Sequence, residues 1–193
     1  HMVNVILDEL PDLWNGYPID TDFRTGVQIS QIMEDKGLSD DEKWLFSADL
    51  LFRGVRPDPQ YYGAAIIWFL QEWNHDNSKK SKDRTRVLDY DIDQWRLYSA
   101  FKTQYGIDLN TANMHYWQFM GMLTTLNECA FTRVVDVRIK KITSKMTKEE
   151  KKVIKDQKAI YGLEQPGEQL SDEQKIKKQE AIERFERMRK AKS

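Results

Sequence analysis

The sequence predicts a mainly α-helical domain with a small N-terminal β-hairpin and a charged helical C-terminal extension. Three observations predict it. From Thr21 onward, apolar residues recur at spacings of three and four. Ser39–Glu42, Thr147–Glu150 and Ser171–Gln174 have the form of capping boxes, which open helices. All six Trp lie at or before Trp117, and Tyr161 and Phe185 are the only aromatics after residue 139. The core is therefore expected from residues 1–141. Residues 142–193 form the extension, with a helix over 148–161, a break over 162–170 and a helix over 171–190.

Residues 3–7, VNVIL, are β-branched and read as a first strand. Asn15-Gly16 is a hairpin signal, and Tyr17–Ile19 can return, with Pro18 keeping that strand at an edge. The alternative is an extended lead-in. Phe23, Val27, Ser30 and Met33 share one face of a helix ending near Gly37. Ser39 and Glu42 cap a second, whose apolar face is Trp44, Leu45, Ala48, Leu51 and Phe52, with Gly54 beyond it. Asp58-Pro59 opens a third, with Tyr62, Ala65, Ile66, Phe69 and Trp73 on one side. Residues 74–86 are polar and read as an exposed loop.

After Asp89, a fourth helix takes Ile92, Trp95, Tyr98, Phe101 (or Lys102) and Tyr105 as its apolar set and stops at Gly106. A fifth starts near Asn110 or Thr111, and its broad apolar surface runs through Met114, Tyr116, Trp117, Phe119, Met120, Leu123 and Leu126. Residues 131–142 would pass for a strand, but read as helix in these surroundings. In the last helix only Ile176, Ala181, Ile182, Phe185 and Met188 are apolar, so it is either a partner-binding arm or frayed in solution.

Composition narrows the function. Hydrophobic residues make up 40% and charged residues 32% of the chain, with a mean hydropathy of -0.71. Together with the aromatics this excludes full disorder. The longest apolar run, Ala64–Leu70, is far short of the roughly 20 residues that span a bilayer. The net charge of -1 divides unevenly: -7 over residues 1–139 and +6 over 140–193. Cys129 is the one cysteine, and the opening HMVNVILDEL lacks a basic start and a long apolar stretch. A reducing, cytoplasmic setting is expected.

No catalytic constellation is legible. His75 and His115 stand apart, too few with Cys129 for a zinc site. Phosphate-binding glycine loops and G-x-S-x-G are missing from the sequence. Asp89, Asp91 and Asp93 lack the downstream Gly and Glu of a calcium loop, and helix capping explains them better. Lys79, Lys80, Lys82, Arg84 and Arg86 could meet phosphates, but no aromatics interleave with them. The composition points to a protein that works by binding.

Three stretches carry a family resemblance: Ile19-Asp20-Thr21-Asp22-Phe23-Arg24, Phe101 through Leu109, and His115-Tyr116-Trp117-Gln118-Phe119 followed by Leu123 and Leu126-Asn127. In this order the chain resembles, over about residues 3–162, the bacteriophage gene-product-fifteen family. That family occurs in long-tailed phages and prophages of Gram-positive bacteria, typically encoded just ahead of the tape-measure protein. Where the family often has two adjacent tryptophans after the histidine, this chain has Tyr116-Trp117.

The resemblance implies a tail-assembly chaperone that coats the tape-measure protein in the host cytoplasm while the tail tube forms, and is absent from the mature virion. It implies no catalysis, cofactor or metal. A second tail-assembly chaperone and the tail tube protein are further implied partners, with self-association in use. Within the motifs, Asp22, Phe23, Arg24, Phe101, Tyr105, Gly106, Asp108, His115, Trp117 and Phe119 read as structural: aromatics in the core, Arg24 on a carboxylate, Asp108 orienting the turn between helices four and five. Partner contact is expected instead at Ile176, Ile182, Phe185 and Met188. Two other readings stand beside this one: a structural virion tail component, and a nucleic-acid-binding regulatory protein using the 79–86 loop and basic tail.

Overall fold

A computed structural model describes residues 3–74 and 85–163. Its elements are β1 (Leu13–Trp14), β2 (Tyr17–Pro18), α1 (Phe23–Glu34), α2 (Asp40–Leu51), a 3-10 turn (Pro59–Tyr61), α3 (Tyr62–Gln71), α4 (Gln94–Tyr105), α5 (Tyr116–Thr124), α6 (Ala130–Ile139) and α7 (Lys148–Tyr161). The mainly helical class with an N-terminal hairpin is what the sequence predicts. The helix expected over 171–190 lies outside the described residues.

The hairpin is smaller than expected and begins later. β1 and β2 pair antiparallel across Asn15-Gly16, whose φ angles of 48° and 85° are those of the tight hairpin turn. Residues 3–7 are not its first strand. Asn4 and Asp8 turn the chain instead: the Asn4 carbonyl accepts from the amides of Leu7 and Asp8 at 2.9 and 2.8 Å. The Asp8 carboxylate takes the Asn4 amide at 2.8 Å, and the Asn4 side chain takes that of Ile6 at 3.0 Å. Side-chain bonds of this kind outcompete a strand. β2 runs on to the end of α2, where Ile19 bridges Phe52 and the Pro18 carbonyl accepts from the Arg53 amide at 3.0 Å.

Asp22 caps α1, accepting the Arg24 amide at 2.8 Å. Its buried face is Phe23, Thr25, Gly26, Ile29 and Ile32; Val27, Ser30 and Met33, expected inside, are only half-buried. The Ser39–Glu42 capping box opens α2 as the spacing predicts. Its Leu45, expected on the apolar face, is 46% exposed. Asp58 caps the 3-10 turn that leads into α3, which buries Tyr62, Ala65, Ile66 and Phe69.

α4 buries Leu97, Ala100 and Phe101, while Ile92 and Trp95, expected inside, are exposed. Gly106, at φ 68°, supplies the left-handed turn that ends it. α5 starts at a His115 cap rather than at Asn110 or Thr111. Residues 130–139 are helical, not a strand.

The core joins α1, α3, α4 and α5 through rings. Phe119 stacks between Phe23 and Phe101, with centroids 5.0 and 5.1 Å away. Trp68 lies edge-on to Trp117, whose indole N–H donates to the Phe69 carbonyl at 2.7 Å. A second corner is ionic. Arg138 of α6 and Asp93 at the foot of α4 form a bidentate pair at 2.6 and 3.0 Å, both side chains fully buried. Lys148–Tyr161, which the sequence reading places in the extension, packs on α6 with Ile154 buried.

Candidate functional site

The three motif stretches meet at one place. Residues 21–23 lie against 114–116: the Phe23 amide donates to the Met114 carbonyl at 3.0 Å, and the Tyr116 amide donates to the Thr21 carbonyl at 2.8 Å. Asp22 and His115 form the bridge between them. Arg24 then reaches across to the turn after α4. Its guanidinium donates to the carbonyls of Leu109, Asn110 and Ala112 at 2.8, 3.1 and 3.0 Å, while Asp22 accepts from it at 3.2 Å. The expected carboxylate partner is therefore joined by three backbone acceptors.

Asp108 organises the same turn. Its carboxylate accepts from the Asn110 amide at 3.0 Å, the Lys102 ammonium at 3.2 Å and the Tyr98 hydroxyl at 3.1 Å. The Asn110 amide, and then Lys102, hold its pKa below the ordinary carboxylate value. Tyr105 donates its hydroxyl proton to the Met122 carbonyl at 2.9 Å, tying α4 to α5.

His115 is the hinge of the arrangement. Its Nδ1 accepts from the Trp117 amide at 3.0 Å, so the proton sits on Nε2, which faces the Pro11 carbonyl at 3.1 Å. Burial pushes its pKa below the ordinary histidine value, against the opposing pull of the Pro11 carbonyl and the Asp12 charge. One neutral imidazole thus caps α5 and holds the N-terminal segment against it.

What this scaffold frames is an apolar cleft of about 610 Å³. Val3 and Leu10 line it from the N-terminal segment, Trp73 from beyond α3, Ile107 from the Arg24-held turn, and Trp117 and Met122 from α5. Two of these, Ile107 and Trp117, stand within the motif stretches, and Ala112, whose carbonyl Arg24 grips, is also in the lining. The volume is in the range of ordinary ligand pockets.

The model of a family described as Bacteriophage Gp15 protein matches residues 7–163. The chain belongs to that family. It is a phage protein, and the matched span runs from the N-terminal turn through α7. No curated protein and no solved structure matches it.

Other predicted positions in this Gp15-family chain fall elsewhere. Ile176, Ile182, Phe185 and Met188 lie outside the described residues, as do His75, Lys79, Lys80, Lys82 and Arg84. Arg86 is described, and pairs with Glu34 and Asp89 at 2.8 and 2.9 Å. Asp89 does act as a local cap, accepting the amides of Asp91 and Ile92 at 2.9 and 2.8 Å. Asp93 does not: its side chain makes no cap bond and is held by Arg138 and by Arg96.

Sequence reasoning missed both the cleft and the Asp93–Arg138 pair. Only Ile107, Trp117 and Gln118, inside recognisable motifs, signal the cleft in the sequence. Among the described residues no group of His, Cys, Asp and Glu converges as a metal site, and no helix is long and apolar enough to cross a membrane.

Proposed function

We propose that this phage protein is a tail-assembly chaperone that binds the tape-measure protein and keeps it soluble while the tail tube forms, working by binding and not by catalysis. The observation that carries the reading is the apolar cleft, to whose walls the motif stretches contribute Ile107, Trp117 and Gln118. An elongated helical client with exposed apolar stripes aggregates unless a partner covers them reversibly. A cleft lined by Trp, Met, Ile and Leu side chains suits that task, because Met and aromatic walls repack around varied apolar partners. Many weak copies along one client gain by multivalency and leave one at a time. The place of action in this reading is the host cytoplasm, before the virion is complete. Ile176, Ile182, Phe185 and Met188 would supply a second contact region.

Co-expression with the tape-measure protein tests it. The client should stay soluble and co-purify with the chain, and deleting residues 168–193 should weaken that capture. Mass spectrometry of purified virions should find the chain absent. A client that precipitates regardless, or a chain retained stoichiometrically in virions, would defeat the reading.

A further inference from the structure

The apolar lining of the cleft continues onto open surface. Val5, itself in the lining, is followed by Ile6 and Leu7, and the three are 63%, 86% and 80% exposed. The Asn4–Asp8 turn holds them outward. Apolar surface spread over a cavity and an adjoining turn is larger than a small molecule needs, and marks a protein-binding face.

Among the described residues, the rim of this face is mainly acidic: Arg24, which grips the lining residue Ala112, is paired with Asp22. Glu72 is the one ionisable group among the described residues of the lining, and Val3 through Ile19 carries Asp8, Glu9 and Asp12 with no Lys or Arg. On the α5 wall, a Cβ at Gly121 would meet nothing within 4 Å, so a bulky side chain from outside can lie there.

We propose that the cleft and the N-terminal turn together seat a helix of a partner protein that is amphipathic and basic, with large apolar side chains on one face and Lys or Arg along its flanks. The apolar face fills the cleft, and the flanking cations meet the acidic fringe. A second copy fits poorly, because a two-fold contact would set two acidic fringes against each other. The inference names the chemistry of the client in the chaperone reading, and rests on that reading for the client being a tail protein.

The test titrates the full chain with a short helical Leu/Lys peptide and with its Leu/Glu counterpart, following backbone amide NMR shifts. The Leu/Lys peptide should move the signals of Val5, Ile6, Trp73 and Gly121, and the Leu/Glu peptide should bind about tenfold or more weakly at low salt. Gly121→Phe fills the cleft while replacing a helical glycine, so it should keep its fold by thermal unfolding yet bind the Leu/Lys peptide about tenfold or more weakly. Glu9→Lys combined with Glu72→Lys should reverse the preference between peptides.

Equal affinity for both peptides would overturn the proposal. So would shifts mapping elsewhere, indifference to Gly121→Phe, or a dimer of the free chain that Gly121→Phe dissolves. A Gly121→Phe chain that loses the peptide but still captures the tape-measure protein would remove the cleft as the client's seat and leave the chaperone reading standing. A wild-type chain that binds the peptide but not the tape-measure protein would do the reverse.

Discussion

At Gly26 the backbone of α1 lies against the ring of Tyr116, so close that a Cβ would overlap the ring's edge atoms. Gly26→Ala gains about 1 kcal/mol of helix propensity but must displace a buried ring, and overpacking of this kind costs about 1–3 kcal/mol. Net destabilisation is the expected result of thermal unfolding; an unchanged or raised midpoint would show that the ring yields freely. His115 sets a different limit. Because burial lowers its folded pKa below the ordinary value of about 6.5, the unfolded chain binds the proton more readily. Its contribution to stability is complete above that ordinary value and is lost as pH falls from there towards the depressed folded value. Protonating Nδ1 also destroys the acceptor for the Trp117 amide. The unfolding midpoint should therefore drop between pH 7 and 5 more in the wild type than in His115→Asn, which still caps α5 but does not titrate. Equal drops would put the pH response elsewhere. Residue roles were legible where a side chain meets its own neighbours, as with Ser39 capping α2. They were illegible where the partner is backbone far along the chain. The carbonyls that Arg24 grips, 85 to 88 positions away, carry no mark in the sequence.

The elements show the same division. Capping boxes at Ser39 and Thr147 placed α2 and α7 correctly, since cap chemistry is local. The buried faces of α1 and α4 were misplaced, because each turns on a long-range contact that hydrophobicity does not register. In α1 the inward stripe runs through Thr25 and Gly26, small residues that admit Tyr116. In α4 the foot of the stripe is Asp93, fully buried only because Arg138 neutralises it from 45 residues away. Arg138 also anchors α7. It donates to the Tyr161 carbonyl at 2.8 Å, its own carbonyl accepts from Lys158 at 3.0 Å, and Ile154 is the one fully buried residue of that helix. Arg138→Met leaves a buried carboxylate short of its main partner and should cost about 3–5 kcal/mol in urea unfolding. The double variant with Asp93→Leu should cost clearly less than the two single changes added together. In Arg138→Lys, α7 amides should exchange faster than those of α5. Uniform exchange across both helices would show that Arg138 does not govern α7 separately.

For the whole molecule, the decisive quantity is how charge is divided along the chain. Residues 1–139 carry a net -7 and residues 140–193 a net +6, though the total is only -1. This was fully legible in the sequence, unlike the cleft, whose walls come from segments as distant as Val3 and Met122. A chain with opposite net charge in its two parts is expected to attract copies of itself, acidic portion to basic portion, through solvent-exposed groups. Such attraction is screened as ionic strength rises, because the Debye length shrinks from about 30 Å at 0.01 M to about 8 Å at 0.15 M. Apolar association behaves oppositely, since salts that strengthen burial leave it intact or tighten it. Sedimentation velocity from about 0.01 M to 0.5 M salt separates the two. Self-association should be strongest at the low end and fall away through physiological ionic strength, and neutralising substitutions among Lys148, Lys152 and Lys155 should weaken it at every salt concentration. These lysines stand on the exposed side of α7, away from Ile154. Association that persists at high salt would move the contact onto apolar surface, with the Val5-Ile6-Leu7 turn the first place to substitute.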